Sequence, residues 1–128
     1  MKALLDTAIF LWWITDHSQF SHAARQYLRD PQSQPLISAA SVWEMIVKHK
    51  LGMLHFPEPI DKFLLGQITK NAFSILPIEG RHTLELARLP DHHADPFDRL
   101  LIAQSRVENI PLLTADPAFK AYEVEILW

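Results

Sequence analysis

The feature that most restricts the fold of this chain is an alternation: short apolar runs, each followed by a longer stretch with helical spacing. "ALL" (3–5), "LISA" (36–39), "FSILPI" (73–78), "IPLLT" (110–114) and "VEIL" (124–127) have the length and composition of strands. "TAIFLWWI" (7–14), residues 19–29, "ASVWEMIVKHKLGML" (40–54), "PEPIDKFLLGQITKNA" (57–72), the weaker "EGRHTLELARL" (79–89) and the stretch from Pro96 to Val107 read as helices. "DPQSQP" (30–35) is a turn cluster, "PDHHADP" (90–96) a loop, and "PAFKAY" (117–122) a short turn or helix. Strands that alternate with helices predict an α/β fold in which a parallel sheet is covered on both faces. In such open sheets, ligands bind at the carboxyl ends of the strands.

That rule gives meaning to the acids. Asp6 directly follows "ALL", and Asp116 lies just past "PLLT". Glu44 falls in the first turns of the helix after "LISA", within the apolar run Val42, Trp43, Met45, Ile46. Asp98 stands in the first turn of the helix from Pro96, with Asp95 one turn earlier on the same face. Each has an ordinary explanation taken singly. Asp6 and Asp95 suit helix caps, Asp98 suits a first turn, Glu44 suits a solvated helix face, and "TADP" is a turn signal. Independent caps have no reason to select one edge of a sheet, so the joint pattern is stronger than its members.

Four or five carboxylates at one edge repel one another and require protons or cations. Oxygen-only donors favour hard divalent ions, Mg²⁺ or Mn²⁺, which bind a few carboxylates together with waters and substrate phosphates. Such ions assist phosphodiester hydrolysis by clamping the phosphate and acidifying water.

Composition agrees with this and narrows the alternatives. A chain of 128 residues, 48% hydrophobic and 21% charged, predicts one domain spanning 1–128 with an ordinary core. The net charge of −3 gives no overall basic footprint for nucleic acid, but four clustered carboxylates would leave the remainder at −3 + 4 = +1. The absence of cysteine rules out disulfides and thiolate metal sites and suits a reducing compartment. The apolar run Ala8–Ile14 is too short to span a bilayer, and no small-residue cleavage site follows it. A cytoplasmic protein without membrane attachment is expected.

The order "LLDT", "SAASVWE", "HADPFDRLLIAQ", "LLTAD" resembles the PIN-domain ribonucleases, specifically the VapC-type toxins of toxin–antitoxin pairs, along essentially the whole chain. The most specific part is "DPFDRLLIAQ" followed by the aspartate of "TAD". The resemblance implies a three-layer α/β/α PIN-like domain with a central parallel sheet and a Mg²⁺- or Mn²⁺-dependent endoribonuclease activity. By motif, Asp6, Glu44, Asp98 and Asp116 match the family's metal-binding and catalytic acids. Asp95 is a supporting acid typical of the "DPFD" subgroup, and Thr114 matches a polar position beside the last aspartate that hydrogen-bonds a ligand or water. The implied partners are an RNA substrate, a cognate antitoxin and a second copy in a homodimer, with an antitoxin helix lying near the first helix.

Other residues carry two readings each. Arg99 contacts substrate or pairs with a neighbouring acid. Lys48, His49 and Lys50 either form a solvated helix end or reach phosphate. His92 and His93 belong to a solvated loop more readily than to a His/Asp transition-metal site. Trp12, Trp13 and Trp43 lie in apolar runs and suit core or interface better than base stacking. Because "TAIFLWWI" is apolar all round, Phe10, Trp12, Trp13 and Ile14 are expected to leave an apolar strip outside. A receiver-type phosphoacceptor lacks its second acid after the first strand and its late lysine. An aspartyl phosphatase lacks Asp-x-Asp, since the chain reads Asp6-Thr7-Ala8. The remaining alternative is a non-catalytic RNA- or protein-binding module with structural acids.

Overall fold

A computed structural model describes every residue from Met1 to Trp128. Its centre is a five-stranded parallel sheet of β1 (Lys2–Leu5), β2 (Gln34–Ser38), β3 (Ser74–Leu76), β4 (Leu112–Leu113) and β5 (Ile126–Leu127), in the order β3-β2-β1-β4-β5. Six helices flank it: α1 (Thr7–Ile14), α2 (His22–Arg29), α3 (Ala39–Lys50), α4 (Ile60–Lys70), α5 (Gly80–Glu85) and α6 (Pro96–Glu108). Short 3-10 turns cover Leu86–Arg88 and Pro117–Ala121.

Strand side chains alternate between faces, and that alternation builds two cores. Ala3, Leu5 and Leu113 pack with Ile9, Phe10, Met45 and Leu64 on one face. Leu4 and Leu112 pack with Leu101, Ile102, Ala103 and Phe119 on the other. The result is the expected three-layer α/β/α arrangement. No helix is long and apolar enough to cross a membrane.

Element boundaries shift for local reasons. β2 starts at Gln34, inside the expected turn, and Pro35 pairs with Ala3 of β1. β3 begins opposite Leu36, so a residue without an N–H leaves the ladder to β3 intact. α2 starts at His22 rather than Gln19, because Ser21 Oγ accepts the Ala24 N–H and caps it. α3 stops at Lys50, and Gly52 takes the left-handed φ of 77° in the turn that follows. α6 runs one residue beyond expectation and ends on Asn109 at φ 54°.

The expected apolar strip on α1 is mostly covered from within the chain. Phe10 is fully buried, and Trp12, Trp13 and Ile14 are half-buried. Phe20 packs edge-on to both tryptophans, Trp128 adds a further edge contact to Trp12, and Trp13 Nε1 donates to Asn71. Exposed apolar side chains lie elsewhere, at Trp43, Leu51, Met53, Leu65 and Leu84.

Candidate active site

The sheet order puts β1 in the middle, so the residue after it stands at the centre of the carboxyl edge. That residue is Asp6. It occupies the N-cap position of α1 but makes no capping hydrogen bond with its side chain, which is buried. Instead Asp6 Oδ2 accepts from Thr114 Oγ1 at 2.8 Å, and Thr114 Oγ1 in turn accepts the Asp116 N–H at 3.1 Å. Thr114, expected to hydrogen-bond a ligand or water, is buried and joins two acids.

Glu44, expected to be solvated if it had no role, is 5% exposed. Its Oε1 accepts from Thr7 Oγ1 at 2.7 Å, and the same threonine oxygen lies 2.7 Å from Ser41 Oγ. A hydroxyl has one proton, so Thr7 gives it to the carboxylate and receives that of Ser41. Lys48 Nζ meets Glu44 Oε2 at 2.6 Å, one helical turn further along α3. Of the basic trio, Lys48 turns toward the acids, whereas His49 Nε2 pairs with Glu58 at 2.6 Å on the surface.

The two aspartates of the "DPFD" stretch divide their tasks. Asp95 Oδ1 accepts the N–H groups of Phe97 (2.8 Å) and Asp98 (3.4 Å), so Asp95 caps α6. Asp98 is left to face inward, and His93 Nε2 lies 3.1 Å from its Oδ2. Asp116 also caps, accepting the Ala118 N–H at 2.9 Å. The structure brings Asp6, Glu44, Asp95, Asp98 and Asp116 round one open pocket of ≈ 400 Å³, with Thr7 and Lys48 and an apolar wall of Ile9, Leu11, Trp12 and Leu54.

Crowding of acids shows in their affinities for protons. Burial first, then the neighbouring charges of Asp6, Asp95, Glu44 and Asp116, pushes Asp98 up to about 7. Burial also raises Asp6, against the Thr114 hydrogen bond and with the help of Asp116 and Glu44. Lys48 is raised by its bond to Glu44 and by the other carboxylates.

Arg99 is not among the residues round the pocket. Its Nη1 donates to the Pro90 carbonyl (2.9 Å) and to Tyr122 Oη (3.3 Å), and its Nη2 is 3.4 Å from Asp91. The contact with Asp91 is the acid pairing of its two readings. Of the adjacent histidines, His92 is exposed against the Tyr122 ring, while His93 turns inward. His93, expected in a solvated loop, is instead half-buried beside Asp98, and Thr7 is the residue the sequence left unassigned. Thr7 carried one signal, its place beside Asp6.

Comparison with known proteins gives a family. The PIN domain model matches residues 3–125. A stretch of 59 residues is 32% identical to Ribonuclease VapC16 of Mycobacterium tuberculosis, covering 46% of this chain and 42% of that protein. The aligned part is thus less than half of that curated relative's length. Among solved structures, VapBC2 from Rickettsia felis, bound to a DNA fragment from its promoter, superposes with a TM-score of 0.75 at 18% identity, covering 98% of this chain and 97% of that one. VapBC-5 from Mycobacterium tuberculosis, of the VapBC family of toxin–antitoxin systems, gives 0.62 at 19%, covering 98% and 96%. At these identities the superpositions speak for the fold, and the match along residues 3–125 speaks for descent. The chain belongs to the PIN-domain family.

Proposed function

We propose that this protein is a divalent-metal-dependent endoribonuclease that hydrolyses RNA phosphodiester bonds, and that it serves as the toxin of a toxin–antitoxin pair. The observation that carries the reading is convergence: Asp6, Glu44, Asp98 and Asp116 come from four separate parts of the sequence and line one pocket at the carboxyl edge of the sheet. Lys48 is the one cation lining that pocket, so the carboxylates exceed what the chain itself neutralises. An all-oxygen donor set in an open pocket fits Mg²⁺ or Mn²⁺, and Asp6, Glu44, Asp98 and Asp116 are the residues that would hold the ion. When bound, such an ion supplies Lewis acidity toward a phosphate oxygen and acidifies water.

The chain's own groups do the rest. Thr7 and Thr114 fix the orientation of Glu44 and Asp6 by donating to one oxygen of each. Burial and the neighbouring acids push Asp98 up to about 7, and a cation held by the cluster would favour its charged form. Lys48, hydrogen-bonded to Glu44 at the pocket, is placed to attract a phosphate. Leu11, Trp12 and Leu54 offer apolar surface beside the acids, suited to a base or to a partner's side chain.

The toxin role draws support from the curated relative, named a ribonuclease, and from the solved neighbours, named as VapBC toxin–antitoxin systems. An antitoxin that covers the pocket and a homodimer complete the proposal, in the reducing cytoplasm that a cysteine-free chain suits. The test is direct. Purified protein should cleave RNA with Mg²⁺ or Mn²⁺ and stop in excess EDTA. Undiminished cleavage in EDTA contradicts the metal mechanism, and metal-independent RNA binding without cleavage favours a binding module.

A further inference from the structure

We infer that a second cavity beside the acid pocket is a subsite for one nucleotide of a single-stranded RNA, with Trp128 stacking on the base and Lys120 contacting the phosphate. This rests on the nuclease reading above and says where the strand lies next to the bond that is cut.

The cavity measures ≈ 280 Å³ and is lined by Thr114, Ala115, Asp116, Lys120, Ile126 and Trp128. Ala115 and Asp116 also line the acid pocket, so the two spaces meet at one of the acids proposed to hold the ion. The sheet explains the placement. Asp6 follows β1, Asp116 comes shortly after β4, and Trp128 follows β5, three neighbouring strands of one parallel sheet. All three residues therefore stand at the same carboxyl edge.

Lys120 sits on the 3-10 turn Pro117–Ala121, which is pinned to the body of the chain. Asp116 Oδ1 accepts the Ala118 N–H at 2.9 Å, and Phe119 and Tyr122, before and after Lys120, are buried. Lys120 itself is exposed, and its ammonium pairs with no carboxylate of the chain. A lysine left without an acid on an anchored turn is available to a phosphate. Trp128 is half-buried, and its ring meets Trp12 edge-on at 6.2 Å and Phe20 at 5.9 Å. A ring steadied in this way loses little freedom when a base stacks on it, and every base offers a π-face.

The pairing of ring and cation selects the occupant. A nucleotide brings base and phosphate together, whereas a protein segment would need an acid and an apolar group in the same register. Lys48 lines the acid pocket and Lys120 the second cavity, so each space that meets at Asp116 has its own lysine. A polyanion laid over a cluster of carboxylates needs such flanking cations. Stacking on Trp128 also requires an unpaired base, which makes the strand single.

The probe is a random-sequence single-stranded RNA of about 12 nucleotides that carries 5-iodouridine. Binding is measured with Mg²⁺ in an Asp98→Asn background, so that the RNA stays uncut, and cleavage by the wild type with Mg²⁺ or Mn²⁺ is followed in parallel. Ultraviolet light should join iodouridine to Trp128, as read by mass spectrometry. Lys120→Met should weaken binding about 3-fold or more and reduce the slope of log Kd against log salt by about 1. Lys120→Arg should restore both, and Lys62→Met, which removes an exposed lysine that lines neither cavity, should change neither. Trp128→Leu should weaken binding about 5-fold or more, and Trp128→Phe should recover most of that loss. Lys120→Met with the affinity and salt slope of its parent would overturn the inference. So would a crosslink that avoids Trp128, or undiminished binding by Trp128→Leu, and the cavity would then be left to a protein segment. If Trp128→Leu fails to fold, the crosslink and the salt slope of Lys120→Met decide. Wild-type cleavage alongside those negative results confines the failure to the subsite. Absence of cleavage with either metal, while the binding effects hold, sinks the nuclease reading instead.

Discussion

Thr114 Oγ1 donates to Asp6 Oδ2 at 2.8 Å across a sequence separation of 108 residues, and the same oxygen accepts the Asp116 N–H. One buried hydroxyl therefore sets two acids at once. Thr114→Val keeps the shape and removes both bonds. It should cost about 1–3 kcal/mol of stability, measured by urea unfolding, and lower cleavage beyond what Thr114→Ser does. A Val variant as stable and active as wild type would reduce Thr114 to filler.

Asp6→Asn and Asp98→Asn remove charge with little change in shape. Each should lower Mg²⁺-dependent RNA cleavage about 100-fold or more, as expected when a positioned charge is taken from a transition state. In metal-free protein the melting temperature should hold or rise, because repulsion among the acids falls. Glu44→Gln should behave likewise, and Asp95→Asn should show a milder effect dominated by its cap.

The raised proton affinity of Asp98 has a definite sign. Its folded value of about 7 lies well above the ordinary aspartate value of 3.8. Between those values the folded chain holds a proton that the unfolded chain has released. Metal-free stability should therefore fall as pH rises from about 4 to 7 and level off above, with Asp6 acting in the same sense. Melting curves in EDTA should show a smaller decline for Asp98→Asn. Mn²⁺ affinity should rise over the same interval. Identical pH profiles for wild type and Asp98→Asn would contradict the assignment.

Arg99 separates a brace from a substrate contact. Arg99→Ala frees Tyr122 and the Pro90 carbonyl, so melting temperature should drop and cleavage should fall through kcat. A phosphate contact would instead raise KM and flatten its salt dependence. A change confined to KM would support the substrate role.

Trp43 stands 56% exposed against the Phe97 ring at 5.0 Å, next to Glu44 and Asp98. An aromatic pair of this kind left open to solvent suits an interface. Light scattering at micromolar concentration should give a dimer, and Trp43→Glu should shift it toward monomer. A strictly monomeric wild type would remove the homodimer from the proposal.

Much of this architecture was legible because its signals are local. Strand length, helical spacing and the acids after β1, β2 and β4 are readable within a dozen residues, and the strand-end rule then gathers them. What stayed hidden depends on distant partners. Thr7 gains its role from Ser41 and Glu44, 34 and 37 residues away. Which of His92 and His93 turns inward is decided by Tyr122 and Phe119. Arg99 follows the key aspartate in sequence, yet it bonds to the Pro90 carbonyl and Tyr122 and does not line the pocket. The all-round apolar α1 misled in another way: covering residues such as Phe20 and Trp128 come from segments whose contact no periodicity reveals.

The sheet order also dictates when, during synthesis, this pocket can exist. β1 is made first but pairs with β4, and the Asp6 N–H bonds to the Leu113 carbonyl. A chain that has not passed Val107 lacks both Asp116 and the strand that seats Asp6. A chain that stops short of β4 is therefore unarmed. For an enzyme whose proposed target is RNA, the pocket is complete only once Asp116 has been made and β4 has joined β1.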